Sequence, residues 1–338
     1  MSSIKVIKPG LCTTIQDLGR IGYQQYGIPV SGVMDEFAFR VGNYLVEAED
    51  NNAALEIQYL GPTLDFGFDI SIAITGANLN PKVNGEEVPM WKSINIKKGD
   101  ILSFSSTKSG ARAYLTFAGE IDVALVNKSK STLLKSKLGG FEGRQLKIGD
   151  EIRIKNPKII KKNTLLPMYI PTYLDFEEIR VVLGPQDKHF KTKGIKTFLN
   201  SEYTITKDAD RMGMRLEGEL IEHKDGADII SDATVFGSIQ VPGNGKPIIL
   251  LADRQTTGGY TKIATVIKAD LPKLAQMSPG NRIRFKGLDI QEAEQEYRNF
   301  YENLEKIRES IENGIKKAYS EKDLKVLKKL FANRLRIK

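Results

Sequence analysis

Cysteine is almost absent from this 338-residue sequence, which contains only Cys12. A single cysteine excludes an internal disulfide and is typical of a protein in a reducing compartment. No apolar run approaches the roughly 20 residues that span a bilayer. The start, MSSIKVIKPGL, also lacks the apolar segment of a secretory signal. These absences predict a cytoplasmic protein with no membrane contact.

Histidine is also scarce, because only His189 and His223 are present and they lie far apart in sequence. No Cys/His cluster or H-E-x-x-H helix can be built from them. We therefore predict no metal site, although a carboxylate-only magnesium site stays open because Mg²⁺ needs few protein ligands.

Several self-contained motifs of catalysis and binding are missing. The stretch GNGKP (243–247) lacks the first Gly and the final Ser or Thr of a phosphate-binding loop, and no G-x-S-x-G or biotin-acceptor MKM occurs. The net charge of +8 is spread over the chain, and the densest basic stretch, 155–163, has no interleaved aromatic residue for base stacking. We predict no nucleic-acid partner.

Short β-strands dominate what is present. A Gly-Asp or Gly-Asn turn followed by an alternating strand occurs three times, at 98–104, 148–154 and 279–285. Glycine permits positive φ and Asp or Asn tolerates it, so each repeat reads as a tight turn that feeds a strand at a hairpin or barrel edge. The residues from 250 to 266 read as two strands joined by an oversized polar loop. The fold class is predicted to be mainly β.

Two helices are predicted before residue 288. Apolar residues of the segment 31–49 recur at helical spacing, and Ser31 is the predicted N-cap. A shorter helix follows Asp270, with Pro272 in its first turn.

The chain divides at a proline-containing stretch of low periodicity, 155–176. We predict one β-rich domain over 1–157, a second over 176–288 and a helical tail over 289–338. The tail has the pattern of two amphipathic helices with a break near 319–323. It is expected to pack on its own apolar stripe, and a partner-binding helix is the alternative.

Five polar segments are unusual for a pure scaffold: 13–35, 131–144, 184–190, 208–218 and 239–260. The planar fork of arginine pairs with carboxylate or phosphate at two points, so their arginines are candidates to hold an anionic or carboxyl-bearing ligand in a shared cleft. Each also has an acidic neighbour for an ordinary ion pair: Arg20 with Asp17, Arg211 with Asp208 or Asp210, and Arg254 with Asp253.

The longest blocks of the sequence resemble a known family. They are GLCTTIQDLGRIGYQQYGIPVSGVMD, ALEIQYLGPTLDF, GGFEGRQLKIGD, DRMGMRLEG and GSIQVPGNGKPIILLADRQTTGGYTKIATVIKADLPKLAQMSPGNRIRF. Over about residues 4–287 the chain resembles the biotin-dependent carboxyltransferase family. That family also includes allophanate hydrolase subunit 2, the C subunit of 5-oxoprolinase and the kinase-inhibitor antagonist family.

The resemblance implies two cyclophilin-like β-barrel domains, followed here by a C-terminal helical extension. It implies a prokaryotic subunit that works with an allophanate hydrolase subunit 1-type partner, the B component of the assembly, and with a third protein, its A component. That assembly opens 5-oxoproline, a small cyclic amide, to glutamate while ATP is hydrolysed. The alternatives are a biotin-dependent carboxyltransferase component of the urea carboxylase type, in which biotin is used, and a regulatory protein that antagonises a kinase inhibitor.

A polar cleft built from 16–35, 208–215 and 240–260 is expected to handle the amide. Arginine and amide donors would stabilise a developing oxyanion, and an aspartate would orient an arginine or carry a proton. The predicted catalytic residues are Asp17, Arg20, Asp253 and Arg254. The predicted substrate-binding residues are Gln16, Ser31, Asp35, Arg211, Arg215, Gln240, Gln255, Thr256, Gly258 and Tyr260.

Three residues depart from the family pattern. Glu120 and Lys128 stand where Gly is frequent, and Lys130 stands where Arg is frequent. Lysine cannot reproduce a two-point arginine contact. We expect this region to be altered in substrate choice.

Overall fold

The computed structural model describes residues 2–313 of the chain. Its N-terminal half contains one α-helix in the described range, α1 (Glu36–Leu45), and strands that are mostly short. The strands are β1 (Ser3–Lys8), β2 (Cys12–Gln16), β3 (Ala54–Gln58), β4 (Thr63–Phe66), β5 (Ile70–Asn78), β6 (Lys82–Val83), β7 (Glu86–Glu87), β8 (Ser93–Ile96), β9 (Ile101–Ser103), β10 (Ser109–Phe117), β11 (Glu120–Ile121) and β12 (Glu151–Lys155).

The C-terminal half, as far as residue 313, contains three helices: α2 (Thr192–Asn200), α3 (Leu271–Ala275) and α4 (Ile290–Asn313). Its strands are β13 (Phe176–Leu183), β14 (Glu202–Ile205), β15 (Gly213–Glu217), β16 (Asp228–Ala233), β17 (Ser238–Gln240), β18 (Ile248–Leu250), β19 (Thr257–Tyr260), β20 (Lys262–Val266) and β21 (Arg282–Gly287).

The N-terminal half is built from two stacked sheets. One has the strand order β11-β12-β1-β4-β9-β6-β7, and the other has the order β2-β3-β10-β5-β8. Side chains alternate along β10, so Leu115 and Phe117 join the core between the sheets while Tyr114 faces the opposite side, towards α1. Side chains of the other long strands alternate in the same way and complete this core.

Helix α1 packs directly on the outer face of the five-stranded sheet. The hydroxyl groups of Thr75 and Thr116 donate to the carbonyls of Ala38 and Gly42, at 2.7 and 2.8 Å. A Cβ at Gly42 would lie 2.8 Å from the Thr116 methyl carbon, so the absence of a side chain permits this close approach.

The C-terminal half is a closed barrel with the strand order β13-β20-β17-β18-β15-β14-β21. Its interior is filled by one apolar cluster that includes Val181, Ile239, Ile249 and Phe285. Strands β16 and β19 stand apart from the barrel as a two-stranded ribbon. The predicted mainly β class with a helical extension is confirmed, and the division into two domains stays a prediction.

The connection between the halves lies where the proline-containing stretch predicted it. Within the described range, the regular secondary structure of residues 157–175 is limited to an isolated bridge, Lys92 with Thr164, and one short 3₁₀ turn, Pro167–Tyr169. We therefore keep 1–157 and 176–288 as proposed domain boundaries.

The three repeated turns share one geometry. Gly99, Gly149 and Gly280 have φ of +91°, +87° and +92°. In each turn the following Asp or Asn side chain accepts a hydrogen bond from the N–H three residues earlier, at 2.8, 2.7 and 2.8 Å. The turns feed strands β9, β12 and β21, so this reading of the repeat is confirmed.

Two local predictions are wrong. Helix α1 is shorter than 31–49, and its N-cap is Asp35, which accepts from the Ala38 N–H at 2.9 Å. Ser31 has φ of +59° and lies outside the helix, because its hydroxyl donates to Asp253 across the molecule. The loop predicted within 250–266 is also not plain, because it contains β19, and the strands β18 and β20 that flank it are separated by β17 in the barrel.

Helix α4 is the first of the two predicted tail helices, and it packs on α1. Leu304 and Ile307 are buried in the same cluster as Tyr44 and Leu45 of α1. The Tyr301 hydroxyl lies 3.1 Å from a Glu36 carboxylate oxygen. The tail therefore packs on the protein over residues 290–313, as expected. The second predicted helix lies outside the described residues. No helix within residues 2–313 is long and apolar enough to cross a membrane.

We predict that Ile307→Ala lowers the free energy of unfolding by about 2–4 kcal/mol, because a fully buried side chain leaves a cavity between α4 and α1. Urea unfolding followed by the fluorescence of Trp91, which belongs to the same cluster, measures it. The exposed neighbour Lys306→Ala should change stability by less than about 0.5 kcal/mol. Equal effects of both variants would contradict the packing of α4.

Candidate functional site

The predicted site residues lie in two places. One is a buried polar joint between the two halves, which contains Gln16, Asp17, Arg20, Ser31, Asp35, Arg211, Asp253 and Arg254. The other is a cleft of about 690 Å³ on the outer face of the barrel, which is lined by Arg215, Gln240, Gln255, Gly258 and Tyr260. Thr256 lies between them and uses its carbonyl to accept from the Thr234 N–H at 3.0 Å.

Arg211 joins the two halves at the buried joint. Its Nε and Nη2 lie 2.9 and 3.0 Å from the two carboxylate oxygens of Asp253, and its Nη1 contacts Glu56 from the other half. Its Nη2 also donates to the Gly32 carbonyl at 2.5 Å. Burial acts to lower the pKa of Arg211, but the charges of Asp253 and Glu56 outweigh it and raise that pKa above its usual value. Arg211 therefore remains a cation, and each of its three side-chain nitrogens has a hydrogen-bond partner.

Asp253 is engaged on its other side by Ser31. The Ser31 hydroxyl lies 2.6 Å from an Asp253 carboxylate oxygen and 3.0 Å from the Thr132 carbonyl. Both carboxylate oxygens of Asp253 thus accept from residues of the joint. This arrangement suits a positioning residue.

Gln276 makes a second connection across the joint. Its Oε1 accepts from the N–H groups of Ala111 and Arg112, both at 3.0 Å, and its Nε2 donates to Asp35 at 2.7 Å and to the Arg112 carbonyl at 2.9 Å. Asp35 also caps α1. Burial raises the pKa of Asp35 to about 6, against the lowering effect of the hydrogen bonds from Ala38 and Gln276.

Asp17 holds the segment 129–131 through hydrogen bonds and does not line the outer-face cleft. It accepts hydrogen bonds from the Ser129 hydroxyl at 2.6 Å, from the Lys130 N–H at 2.6 Å, and from the Ser131 hydroxyl. The Gly19 N–H adds a further bond at 2.9 Å. A carboxylate with so many donors fits the holding of a loop better than the carrying of a proton.

Arg20 is fully buried and has no ion pair within residues 2–313. Its Nη2 donates to the Ser131 carbonyl, while its Nε and Nη1 have no hydrogen-bond partner in the described part of the chain. Burial lowers the pKa of Arg20, against the effect of Asp17 and Asp253. Gly139 covers it, since a Cβ there would lie 2.1 Å from its Nη2.

Arg254 is the second buried arginine without an ion pair in the described range, and it is 6% exposed. Its Nη1 donates to the Leu251 carbonyl at 3.3 Å, and its Nε has no partner among residues 2–313. Burial lowers the pKa of Arg254 to about 10, because the charge of Asp253 only partly offsets it. The next residue along the chain, Gln255, lines the cleft.

None of the three local ion pairs considered from the sequence forms within the described residues. Arg211 pairs with Asp253 and Glu56 instead of Asp208 or Asp210, and neither Arg20 nor Arg254 has a carboxylate within 4.0 Å. The structure also adds residues that sequence reasoning missed, namely Glu56, Gln276, Tyr114, Ser131 and Thr132. Gln276 could have been suspected, because it follows the predicted helix after Asp270 as an isolated polar residue in LAQM.

Two of the three residues that depart from the family pattern, Glu120 and Lys130, contact each other. The Lys130 ammonium contacts the Glu120 carboxylate and donates to the Ile121 carbonyl at 2.7 Å. Lys128 keeps φ of +62°, a conformation that favours the Gly frequent there. All three line a separate pocket of about 440 Å³ beside Asp17, and none lines the outer-face cleft.

The described residues contain no group of three or more His, Cys, Asp or Glu side chains arranged to hold a metal ion. What they offer a ligand is nitrogen donors. Apart from Arg112, every buried side-chain nitrogen without a hydrogen-bond partner in residues 2–313 belongs to Arg20, Gln240 or Arg254.

Known proteins are similar in sequence to this chain over most of its length. The profile described as carboxyltransferase domain, subdomain A and B, matches residues 26–287. The chain is 37% identical over 300 residues to the 5-oxoprolinase C subunit of Haemophilus influenzae, which covers 88% of the chain and 96% of that protein. It is 36% identical over 304 residues to the Escherichia coli protein of the same name, over 89% of the chain and 97% of that protein.

Larger eukaryotic proteins contain a similar region. Urea amidolyase of Saccharomyces cerevisiae is 32% identical over 334 residues, which covers 93% of this chain and 18% of that protein. The crystal structure of the Kluyveromyces lactis urea amidolyase superposes with a TM-score of 0.85 at 30% identity, over 94% of this chain and 20% of that one.

We predict that Arg211→Met lowers the free energy of unfolding by about 3–5 kcal/mol, because Asp253 and Glu56 are left buried without their counter-charge. Chemical denaturation measures the loss. Arg284→Met is the matched control, since Arg284 is exposed and pairs with Glu202 on the barrel surface at 3.0 Å. It should cost less than about 1 kcal/mol. A loss of similar size in both variants would show that Arg211 does not hold the joint.

We predict that Asp35 makes the protein less stable as pH rises from about 4 to about 6. The ordinary pKa is 3.8 and the folded value is about 6, so in this window the folded state holds a proton that the unfolded chain has lost. The unfolding free energy of the wild type relative to Asp35→Asn should therefore fall by roughly 2–3 kcal/mol across it. Denaturation of both proteins at pH 4, 5, 6 and 7 tests this, and a constant difference would contradict it.

Proposed function

Because the chain belongs to the carboxyltransferase-domain family, we propose that it is the C subunit of a multi-subunit, ATP-dependent 5-oxoprolinase. The reaction converts 5-oxoproline, ATP and water to L-glutamate, ADP and phosphate. The observation that carries this proposal is the match to the two bacterial proteins of that name, which extends over 96% and 97% of their length.

The alternative is a biotin-dependent carboxyltransferase component of the urea carboxylase type. It is supported by the likeness to the yeast urea amidolyases. The chain spans only about a fifth of those proteins, whereas its match to the Haemophilus influenzae protein covers 96% of that protein. The second alignment favours the 5-oxoprolinase assignment.

In this proposal the outer-face cleft receives the amide. Gln255 lines this cleft, and Arg254 precedes it along the chain in the buried joint, where its uncompensated charge would stabilise an oxyanion that develops on the lactam oxygen. Asp253 and Arg211 act as positioning residues, because their mutual ion pair fixes the loop that carries Arg254. Arg20 and Asp17 support the segment 129–139 on the other side.

The one glycine-rich stretch that resembles part of a phosphate-binding loop, 243–247, does not offer ATP a phosphate site in the described residues. The glycine-rich stretch 243–247 is a turn, and its Lys246 is paired with Glu217 at 2.6 Å instead of being free for a phosphate. We therefore assign the nucleotide to another protein of the assembly. The isolated chain is then inactive and needs the A and B components, in the cytoplasm where ATP is available.

The proposal is tested by co-purifying the chain with its A and B components and measuring ATP-dependent glutamate release from 5-oxoproline. We predict that Arg254→Met lowers kcat/KM by roughly 100-fold, the usual effect of removing one oxyanion donor. Arg254→Lys should keep part of the activity because the charge remains. The exposed Arg284→Met serves as control and should leave activity unchanged.

Each outcome decides between the candidate functions. A verified complete complex without turnover would reject the 5-oxoprolinase assignment. Carboxylation of urea with a biotinylated carrier would favour the alternative. Tight binding to a partner without any turnover would support a regulatory role.

A further inference from the structure

Three neighbouring strands place Arg215 and Gln240 on the same face of the barrel. In the antiparallel register Arg215 of β15 pairs with Ile248 of β18, and Ile248 pairs with Gln240 of β17. Residues paired in this way point to the same side of a sheet, about 5 Å apart per step. The alternate residues, Met214, Ile249 and Ile239, fill the barrel core. Arg215 and Gln240 therefore both form part of the outer-face cleft wall.

Gln240 presents a buried donor that the protein leaves unused. Its side chain is 3% exposed, and its Nε2 has no hydrogen-bond partner in the described part of the chain. Its Oε1 accepts from the Gln255 amide at 3.5 Å. Gly258 of the ribbon lies against it, and a Cβ there would come within 2.4 Å of the Nε2. A side chain at residue 258 would therefore collide with this donor.

Arg215 presents an unpaired guanidinium in the same cleft. It is exposed, and no carboxylate between residues 2 and 313 lies within 4.0 Å of it. Of the three carboxylates in the cleft wall, Glu217 is paired with Lys246, and Asp210 accepts from two backbone N–H groups at 2.7 and 3.0 Å. The negative charge of the third, Asp208, is balanced in the net charge of the wall by Lys135. The fork of Arg215 is therefore free for a carboxylate from outside the chain.

We propose that Arg215 and Gln240 form a carboxylate-binding subsite on the floor of the outer-face cleft. Its ligand is a small molecule that carries a carboxylate beside an amide or lactam group. The guanidinium fork of Arg215 binds the carboxylate, and the Gln240 Nε2 donates to one of its oxygens. The amide part of the ligand rests on the proposed function, whereas the carboxylate part rests on these two residues alone.

This subsite determines specificity. A neutral amide such as urea offers Arg215 only an uncharged carbonyl oxygen, whereas 5-oxoproline carries a carboxylate next to its lactam and can pair with the guanidinium fork at two points. A site built around a buried donor rejects ligands that leave the donor unpaired. The chain described here, and not one of its partner proteins, then selects the acid.

The test is calorimetric titration of the full-length chain with 5-oxoproline, with its neutral carboxamide, and with urea. We expect the acid to bind roughly 10- to 100-fold more tightly than the carboxamide, as a charge-assisted contact provides. Arg215→Met should remove this preference, and Arg215→Lys should retain part of it. Gln240→Glu should weaken acid binding more than carboxamide binding, because the new carboxylate repels the ligand.

Arg284→Met is the matched control on the same barrel, away from the cleft, and it should keep the preference. A thermal melt of each variant shows that it is folded. In the complete complex, Arg215→Met should raise KM for 5-oxoproline more than it lowers kcat. Equal affinity of the wild type for acid and carboxamide, or no binding of either at millimolar concentration, would overturn the subsite.

The outcome is separable from that of the proposed function. An acid preference in a chain whose complete complex does not open 5-oxoproline would support the subsite and reject the function. Turnover that is unaffected by Arg215→Met, with no acid preference, would reject the subsite and leave the function standing.

Discussion

The ion pair of Arg211 with Asp253 and Glu56 is the interaction on which the joint between the two halves depends. Arg211 comes from the turn before β15, Asp253 from the loop after β18, and Glu56 from β3 of the other half. Breaking this buried pair would leave Asp253 and Glu56 without their counter-charge, which favours one arrangement of the two halves. That arrangement sets the position of the loop 253–260 and hence of one cleft wall.

The same pairing explains where positive charge remains. Asp253 and Glu56 are committed to Arg211, so Arg20 and Arg254 are buried without a carboxylate within 4.0 Å in the described residues. A protein that only needed stability would gain from pairing them or replacing them with apolar side chains. Uncompensated buried arginines are instead typical of a site that binds an anionic group or stabilises a developing oxyanion.

Local signals in the sequence predicted local structure well. The three turn-and-strand repeats and the helix after Asp270 are present, because the conformation of glycine and the place of proline in a first helical turn depend on only a few residues. The pairing of Arg211 with Glu56 spans 155 positions, and no local pattern encodes it. The position of Ser31 was misread for the same reason, since its hydroxyl is held by Asp253, 222 residues away. The sequence thus indicated which residues are unusual, and only the fold shows which of them remain unpaired.

The ribbon of β16 and β19 has a consequence for the timing of events at the cleft. Two strands alone are marginally stable, and this pair is joined to the barrel through side-chain contacts such as Lys262 with Asp232 at 2.8 Å. Its hydrogen bonds can open and close without unfolding the barrel beneath it. Because Gly258 of the ribbon covers Gln240, amide exchange in β19 would report the frequency at which the floor of the cleft becomes reachable from solvent. Ligand entry is then set by the ribbon, and global stability is set by the barrel beneath it.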